Sequence, residues 1–187
     1  MTKAEKFFDQ KIKEIAKEKL IFDIGGCKRF QKALAKYEKY FSDSIYKTID
    51  MDPKCSPDIL ADAHNLPLSD NSVDGIICKS TLEHLKEPIK AVDEIYRVLK
   101  PRGKCFITAP FLTPYHGNDY WRFTEDGVRY LFRKFKKVEI CPVKNHFEAV
   151  FTLFFEKASK IGRLLDNISL KRQSGKQVSG YHVFLEK

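Results

Sequence analysis

The chain has 187 residues, 43% of them apolar, and its 15 Phe, 8 Tyr and single Trp give ample material for one hydrophobic core. That length and content exclude global disorder and leave little room for two full domains. Lys and Arg outnumber Asp and Glu by 34 to 25, for a formal charge of +9, and no apolar run approaches the roughly 18 residues of a membrane-spanning helix.

Residues 1–19 place Phe7, Phe8, Ile12 and Ile15 at helical spacing among charges, so an amphipathic helix is expected to lead into the domain. Leu20 to Ile24 is a short apolar run that ends in Gly25 and Gly26, the pattern of a buried strand entering a tight turn. Phe30, Ala33, Leu34, Tyr37 and Phe41 return to helical spacing. Ser44 to Ile49, Asp58 to Ala61 and Val73 to Cys78 read as the next three strands. Pro88 opens a helix with Ile89, Val92, Ile95, Tyr96 and Leu99 on one face, stopped by Pro101 and Gly103. Lys104 to Ala109 is a fifth strand. Thr124 is a good N-cap for a helix carrying Val128, Leu131, Phe132 and Phe135. Val138 to Val143 is a sixth strand, Phe147 to Arg172 a long helical stripe, and Tyr181 to Leu185 a last strand.

Strands alternating with helices predict a single-domain, doubly wound α/β fold, Rossmann-like, with a mainly parallel sheet of about seven strands and helices on both faces. The expected organisation is an N-terminal helix over 1–19, a ligand-binding core over 20–145, and a C-terminal helix and strand over 146–187. No repeat or linker divides the chain.

Charge is unevenly spread. Residues 48–95 hold ten carboxylates against four lysines, whereas 28–47, 129–144 and 156–187 are each net basic. Basic segments suit nucleic acid, anionic lipid or a phosphorylated substrate, and equally well a solvated surface. Met1 to Leu20 alternates Lys and Glu where a signal peptide would be apolar, so a cytoplasmic protein is expected. Cys27, Cys55, Cys78, Cys105 and Cys141 are at least 23 residues apart. They form neither a close metal-ligand pair nor a disulfide framework, and are expected to be reduced and mostly buried. No metal site is expected.

In such a sheet, ligands lie beyond the carboxyl ends of the central strands. Asp23, Gly25 and Gly26 stand at the end of the first strand, where glycine lets a ligand approach the backbone. Asp50 follows the second, 25 residues past Gly25, placed to accept from two ribose hydroxyls. Asp62 and Ala63 follow the third, Lys79 and Ser80 the fourth. A dinucleotide would need similar features, but the three-glycine spacing is absent and Cys27-Lys28-Arg29 follows Gly26.

The runs Leu20-Ile21-Phe22-Asp23-Ile24-Gly25, Thr48-Ile49-Asp50-Met51-Asp52, Asp62 to Asp74, Leu82-Glu83-His84 and Glu94 to Gly103 resemble, in order, the motifs of class I S-adenosylmethionine-dependent methyltransferases. The resemblance is closest to the type-eleven methyltransferase-domain family and covers roughly residues 20–145. It implies S-adenosylmethionine as cofactor, with Asp23 and Gly25 beside the methionine portion and Asp50 on the ribose. It further implies Met51 against adenine, Asp62 and Ala63 at the adenine edge, and Lys79 and Ser80 at the methionine end. Cys27 departs from the pattern, standing where the family has a second glycine.

Pro110 to Phe123 follows the fifth strand and is expected to wall the substrate, with Tyr115, Tyr120, Trp121 and Arg122 as acceptor contacts. Methyl transfer to a hydroxyl benefits from a base. His116 is one such group, with Asp119 to orient it, and His84 is another near the expected methyl position; each has a purely structural alternative in loop ordering or capping. Similar runs in the family are associated with glycan and envelope biosynthesis, so the expected acceptor is a small molecule or a glycan- or lipid-linked one, methylated at oxygen. The helix over 147–172 offers a peripheral membrane contact. The alternatives are an RNA methyltransferase that uses the basic segments, and a catalytically degenerate binding protein.

Overall fold

The computed structural model describes residues 1–114, 117–144 and 178–187. Helix α1 spans Lys3–Ile15 and starts in a capping box: the Glu5 amide donates to the Thr2 hydroxyl at 3.2 Å, and the Thr2 amide donates back to the Glu5 carboxylate at 2.7 Å. Strand β1 (Leu20–Ile24) follows, then a 3-10 helix over Lys32–Phe41 and strand β2 (Ile45–Asp50). The helix expected from Phe30 thus takes the tighter 3-10 form. Its buried Leu34 and Tyr37 are three residues apart, the spacing that a 3-10 turn stacks on one side.

Strands β3 (Ile59–Leu60) and β4 (Val73–Cys78) precede helix α2 (Pro88–Val98), strand β5 (Leu99–Pro110), helix α3 (Glu125–Leu131), and strands β6 (Lys137–Val143) and β7 (Gly180–Glu186). The α3 cap is as expected, the Thr124 hydroxyl accepting from the Gly127 amide at 3.1 Å. Strand β5 begins five residues earlier than expected. Lys100 to Gly103 does not leave the sheet but bulges within it, Arg102 taking φ +67°, and the pairing to β4 jumps from Val73↔Leu99 to Gly75↔Lys104. The helical stripe over 147–172 lies outside the described residues.

The seven strands are ordered β3-β2-β1-β4-β5-β7-β6. The first five in chain order run parallel, while β7 runs antiparallel between β5 and β6. Parallel strands buried on both faces need apolar side chains on both parities, and β4 supplies them: Ile77 faces one side, Ile76 and Cys78 the other. On the first face, Phe8, Ile12 and Ile15 of α1 pack with Leu34, Tyr37 and Phe41 over Ile21, Phe106 and Phe184. On the second, Val92, Ile95, Val128 and Leu131 cover Cys105, Ile107 and Val183. Each fully buried large side chain contributes about 1.5–3 kcal/mol. This is the single-domain, doubly wound α/β architecture expected. The strand order reverses between β1 and β4, which makes their carboxyl ends the topological switch point. Among the described residues no helix is long and apolar enough to cross a membrane.

Candidate active site

At the end of β1 the backbone turns sharply because two neighbours crowd it. The Gly25 amide donates to the Ile49 carbonyl at 2.8 Å, drawing the turn against β2, and Gly25 takes φ +72°. A Cβ on Gly25 would overlap the side chain of Thr81, whose hydroxyl donates to the Ile24 carbonyl at 3.1 Å. A Cβ on Gly26 would overlap the carboxyl of Asp23. The two glycines are therefore required by sterics, because Thr81 and Asp23 pack directly against the turn.

Asp23 is only 2% exposed and accepts from the Tyr46 hydroxyl at 2.6 Å. Burial pushes its pKa up to about 7 even though the Tyr46 hydroxyl and Lys79 favour the ionised form. Tyr46 and Thr81 were not singled out from the sequence. Each acts through a contact between strands, and neither carries a motif.

Asp50 stands at the end of β2. One of its oxygens accepts from the Cys27 amide at 3.1 Å, the other from the Asp52 amide at 2.9 Å. A carboxylate has about four acceptor positions, so two remain for further donors. Met51 beside it is 65% exposed. The Ala61 amide donates to the Asp50 carbonyl at 3.0 Å, which brings the end of β3 alongside and sets Asp62 and the buried Ala63 next to the end of β2. Desolvation raises the pKa of Asp62, but the His64 amide (2.9 Å) and ring nitrogen (2.6 Å) outweigh it and hold the carboxyl below its ordinary value. At the end of β4, Lys79 is half-buried and Ser80 takes φ +53°, its amide donating to the Thr108 hydroxyl at 2.7 Å.

The expectation of reduced cysteines fails at two positions. Cys27 and Cys55 form a disulfide, with their Cα atoms 4.7 Å apart. Their 28-residue separation conceals that the β1 turn and the segment after β2 meet where two parallel strands end together. Cys27 occupies the left-handed region at φ +51°. Its side chain is directed into the bridge to Cys55, which answers how a Cβ is accommodated in place of the family's second glycine. Cys78, Cys105 and Cys141 are free and buried, as expected.

A second cluster lies beyond β4. His84 Nδ1 is 2.9 Å from the Asp119 carboxylate and 3.3 Å from the Asn118 carbonyl. The Asp119 side chain is 2% exposed and also meets Arg122 at 2.6 Å, so one carboxylate holds both partners. The segment is pinned to the end of β4 by backbone bonds, the Tyr120 and Trp121 amides both donating to the Glu83 carbonyl. Trp121 Nε1 donates to the Leu85 carbonyl at 2.8 Å. Glu83, part of the Leu82-Glu83-His84 run, is 7% exposed, its Oε2 has no hydrogen-bond partner, and burial raises its pKa. The structure thus joins two of the three catalytic candidates, His84 and Asp119. His116 and Tyr115 lie outside the described residues.

Two cavities adjoin these clusters. One of about 570 Å³ is lined by Ile89, Trp121, Phe123, Tyr130 and Leu131 with Lys86 and Lys90. The other, about 490 Å³, lies on the α1 face between Phe8, Tyr37, Lys79 and His182. The Nδ1 of His182 is buried without a partner, and burial lowers its pKa to about 4. Of the expected acceptor contacts, Tyr120 is exposed, Trp121 lines the first cavity, and Arg122 is engaged by Asp119.

A mainly parallel sheet with a glycine turn and acids at successive strand ends defines the Rossmann-like, nucleoside-binding class of α/β domain. Residues 23–107, a little under half of the chain, match the methyltransferase domain family. A demethylmenaquinone methyltransferase of Renibacterium salmoninarum is 40% identical over 73 residues, 39% of this chain and 30% of that protein. The chain aligns with less than a third of the length of the curated relatives it matches. Among solved structures, a SAM-dependent methyltransferase from Archaeoglobus fulgidus is similar at TM-score 0.68 and 16% identity, covering 98% of this chain and 92% of that one. A phosphoethanolamine N-methyltransferase from Haemonchus contortus, solved with S-adenosylhomocysteine, is similar at TM-score 0.61 and 15% identity, covering 97% and 52%. These two likenesses carry the fold.

Proposed function

We propose that the chain transfers the methyl group of S-adenosylmethionine to a small, ring-bearing acceptor. The observation that carries this reading is the convergence at the switch point: Gly25 and Gly26 form a tight turn one hydrogen bond from β2, and Asp50 is tied to the same turn through the Cys27 amide. A side chain on either glycine would collide with Thr81 or Asp23, so the turn that brings Asp23 and Asp50 together keeps its shape only with glycine at both positions.

In this reading Asp50 accepts from the ribose hydroxyls with its two remaining lone-pair positions, Met51 and Ala63 flank the adenine, and Asp62 accepts from its edge. Gly25, Gly26, Asp23, Lys79 and Ser80 surround the methionine end, where Lys79 brings positive charge. The cofactor supplies an electrophilic methyl on a sulfonium centre. The protein's part is to align the acceptor and keep water out.

His84 is the base. The Asn118 carbonyl 3.3 Å from Nδ1 and the negative charge of Asp119 beside it favour the proton there, which leaves Nε2 to take the proton of an acceptor hydroxyl. Asp119 positions the ring, and Arg122 positions Asp119. A base suits an oxygen acceptor. The small-molecule class draws support from the matched relatives named demethylmenaquinone methyltransferases. Nothing in those relatives supports a glycan-linked acceptor, and the RNA reading rests on surface charge alone.

Calorimetric titration of the full chain with S-adenosylhomocysteine tests the reading. Binding at one site per chain is expected. No heat at high micromolar ligand would leave a methyltransferase fold serving only as a binding module.

A further inference from the structure

The disulfide joins the β1 turn to the segment after β2, at the proposed cofactor site. It joins Cys27, the residue after the two glycines, to Cys55, five residues past Asp50, and both cysteines are partly solvent-accessible. Cys27 is also the residue whose amide is bonded to Asp50. It takes φ +51°, a left-handed conformation that costs a residue with a Cβ about 1–2 kcal/mol and glycine almost nothing. On the far side, Met51, Asp52, Pro53 and Lys54 are all exposed, Pro53–Cys55 form a 3-10 turn capped by Asp52, and Ser56 too has a positive φ of +48°; Arg29 and Asp58, paired at 2.7 Å, join the same two segments. Two turns, each with a residue at positive φ, are thus fastened to each other at the point where the proposed ribose acceptor is oriented.

We propose that Cys27–Cys55 is a redox-modification site that sets cofactor affinity, the bridged form binding more tightly than the dithiol form. This rests on the proposed cofactor reading. The step is thiol–disulfide exchange with a dithiol reductant. The reductant's thiolate attacks one sulfur, the Cys27–Cys55 bond breaks, and a mixed disulfide forms. The reductant's second thiolate then closes its own ring, and two protons end on Cys27 and Cys55. Once released, Cys27 relaxes from the left-handed region, its amide leaves Asp50, and the turn must be ordered again by the ligand. Pre-organisation lost in this way appears as weaker binding.

The test uses the full chain equilibrated with glutathione disulfide or with dithiothreitol. Thiols are counted after denaturation, and S-adenosylhomocysteine is titrated calorimetrically into each form. Three reactive thiols are expected in the first form and five in the second, with affinity weaker by about tenfold in the second. The Cys55→Ser variant, which cannot form the bridge, is expected to bind as weakly as the reduced form and to ignore dithiothreitol. It also decides the matter should reduction unfold the natural chain. Five thiols after oxidation, equal affinities in the two forms, or a Cys55→Ser chain that binds as tightly as the oxidised protein would each overturn the proposal. Equal but measurable affinities sink only the switch. No binding by any form sinks the cofactor reading itself.

Discussion

The two ends of the proposed site are built by different means. At the adenosyl end, over β1, β2 and β3, the decisive groups are backbone amides and carboxylates within a few residues of a strand terminus. Asp50, Asp52 and Asp62 each accept amides two residues away. At the acceptor end, beyond β4 and β5, His84 meets Asp119 across 35 positions of sequence, and Trp121 reaches Leu85 across 36. The first end follows directly from strand order. The second exists only because the 117–123 segment docks on the Glu83 carbonyl.

That contrast can be broken most severely at Gly25. Gly25→Ala adds a Cβ that overlaps Thr81 in a left-handed residue, and it is expected to abolish S-adenosylhomocysteine binding and lower the melting temperature by several degrees. Calorimetry and thermal unfolding by circular dichroism measure both, and a variant that binds normally would remove the turn from the site.

Two substitutions with effects of about a hundredfold separate the ends. Asp50→Ala removes a charged acceptor of more than one hydrogen bond, so cofactor affinity falls by about a hundredfold while residual turnover at saturating cofactor survives. His84→Ala should do the reverse, lowering turnover about a hundredfold with cofactor affinity unchanged. Asp119→Asn is expected to cost less, about tenfold, and to alter the pH–rate profile. Binding loss in His84→Ala would mean that the two ends are one structural unit.

A smaller effect comes from Asp23. Its folded pKa of about 7 lies above its ordinary value of 3.8, so the folded chain holds the proton more tightly. The stability this contributes is complete below about pH 4, is lost as pH rises toward 7, and is absent above. Asp23→Asn carries no such penalty. Its melting temperature relative to the natural chain should therefore rise across that window and level off near pH 8, by a few degrees. A constant difference from pH 4 to 8 would show that Asp23 does not titrate in this range. The smallest change expected is Trp121→Phe, which forfeits the bond to the Leu85 carbonyl, worth about 1 kcal/mol or roughly 2–4 °C. Turnover should fall more than stability if docking of that segment orients Asp119.

The strands and glycines were legible because each is encoded within five to twelve residues. Apolar runs give β1 and β4, and glycine at a strand end gives the turn. The bulge at Lys100 to Gly103 was not, since Pro101 and Gly103 read equally well as a helix stop and as an irregular strand. The Cys27–Cys55 bridge contradicted the spacing argument outright. Sequence distance says nothing about two loops that share one end of a sheet.

Composition, periodicity and the order of strand-end residues determined the α/β class, the number of strands and the position of Gly25, Asp50 and Asp62, because those properties are local or follow from parallel topology. Which imidazole meets Asp119, what fills the space above Gly25 and which cysteines touch were decided by tertiary packing. Each of those depends on side chains brought together from separate strands, and no short-range pattern records such a meeting.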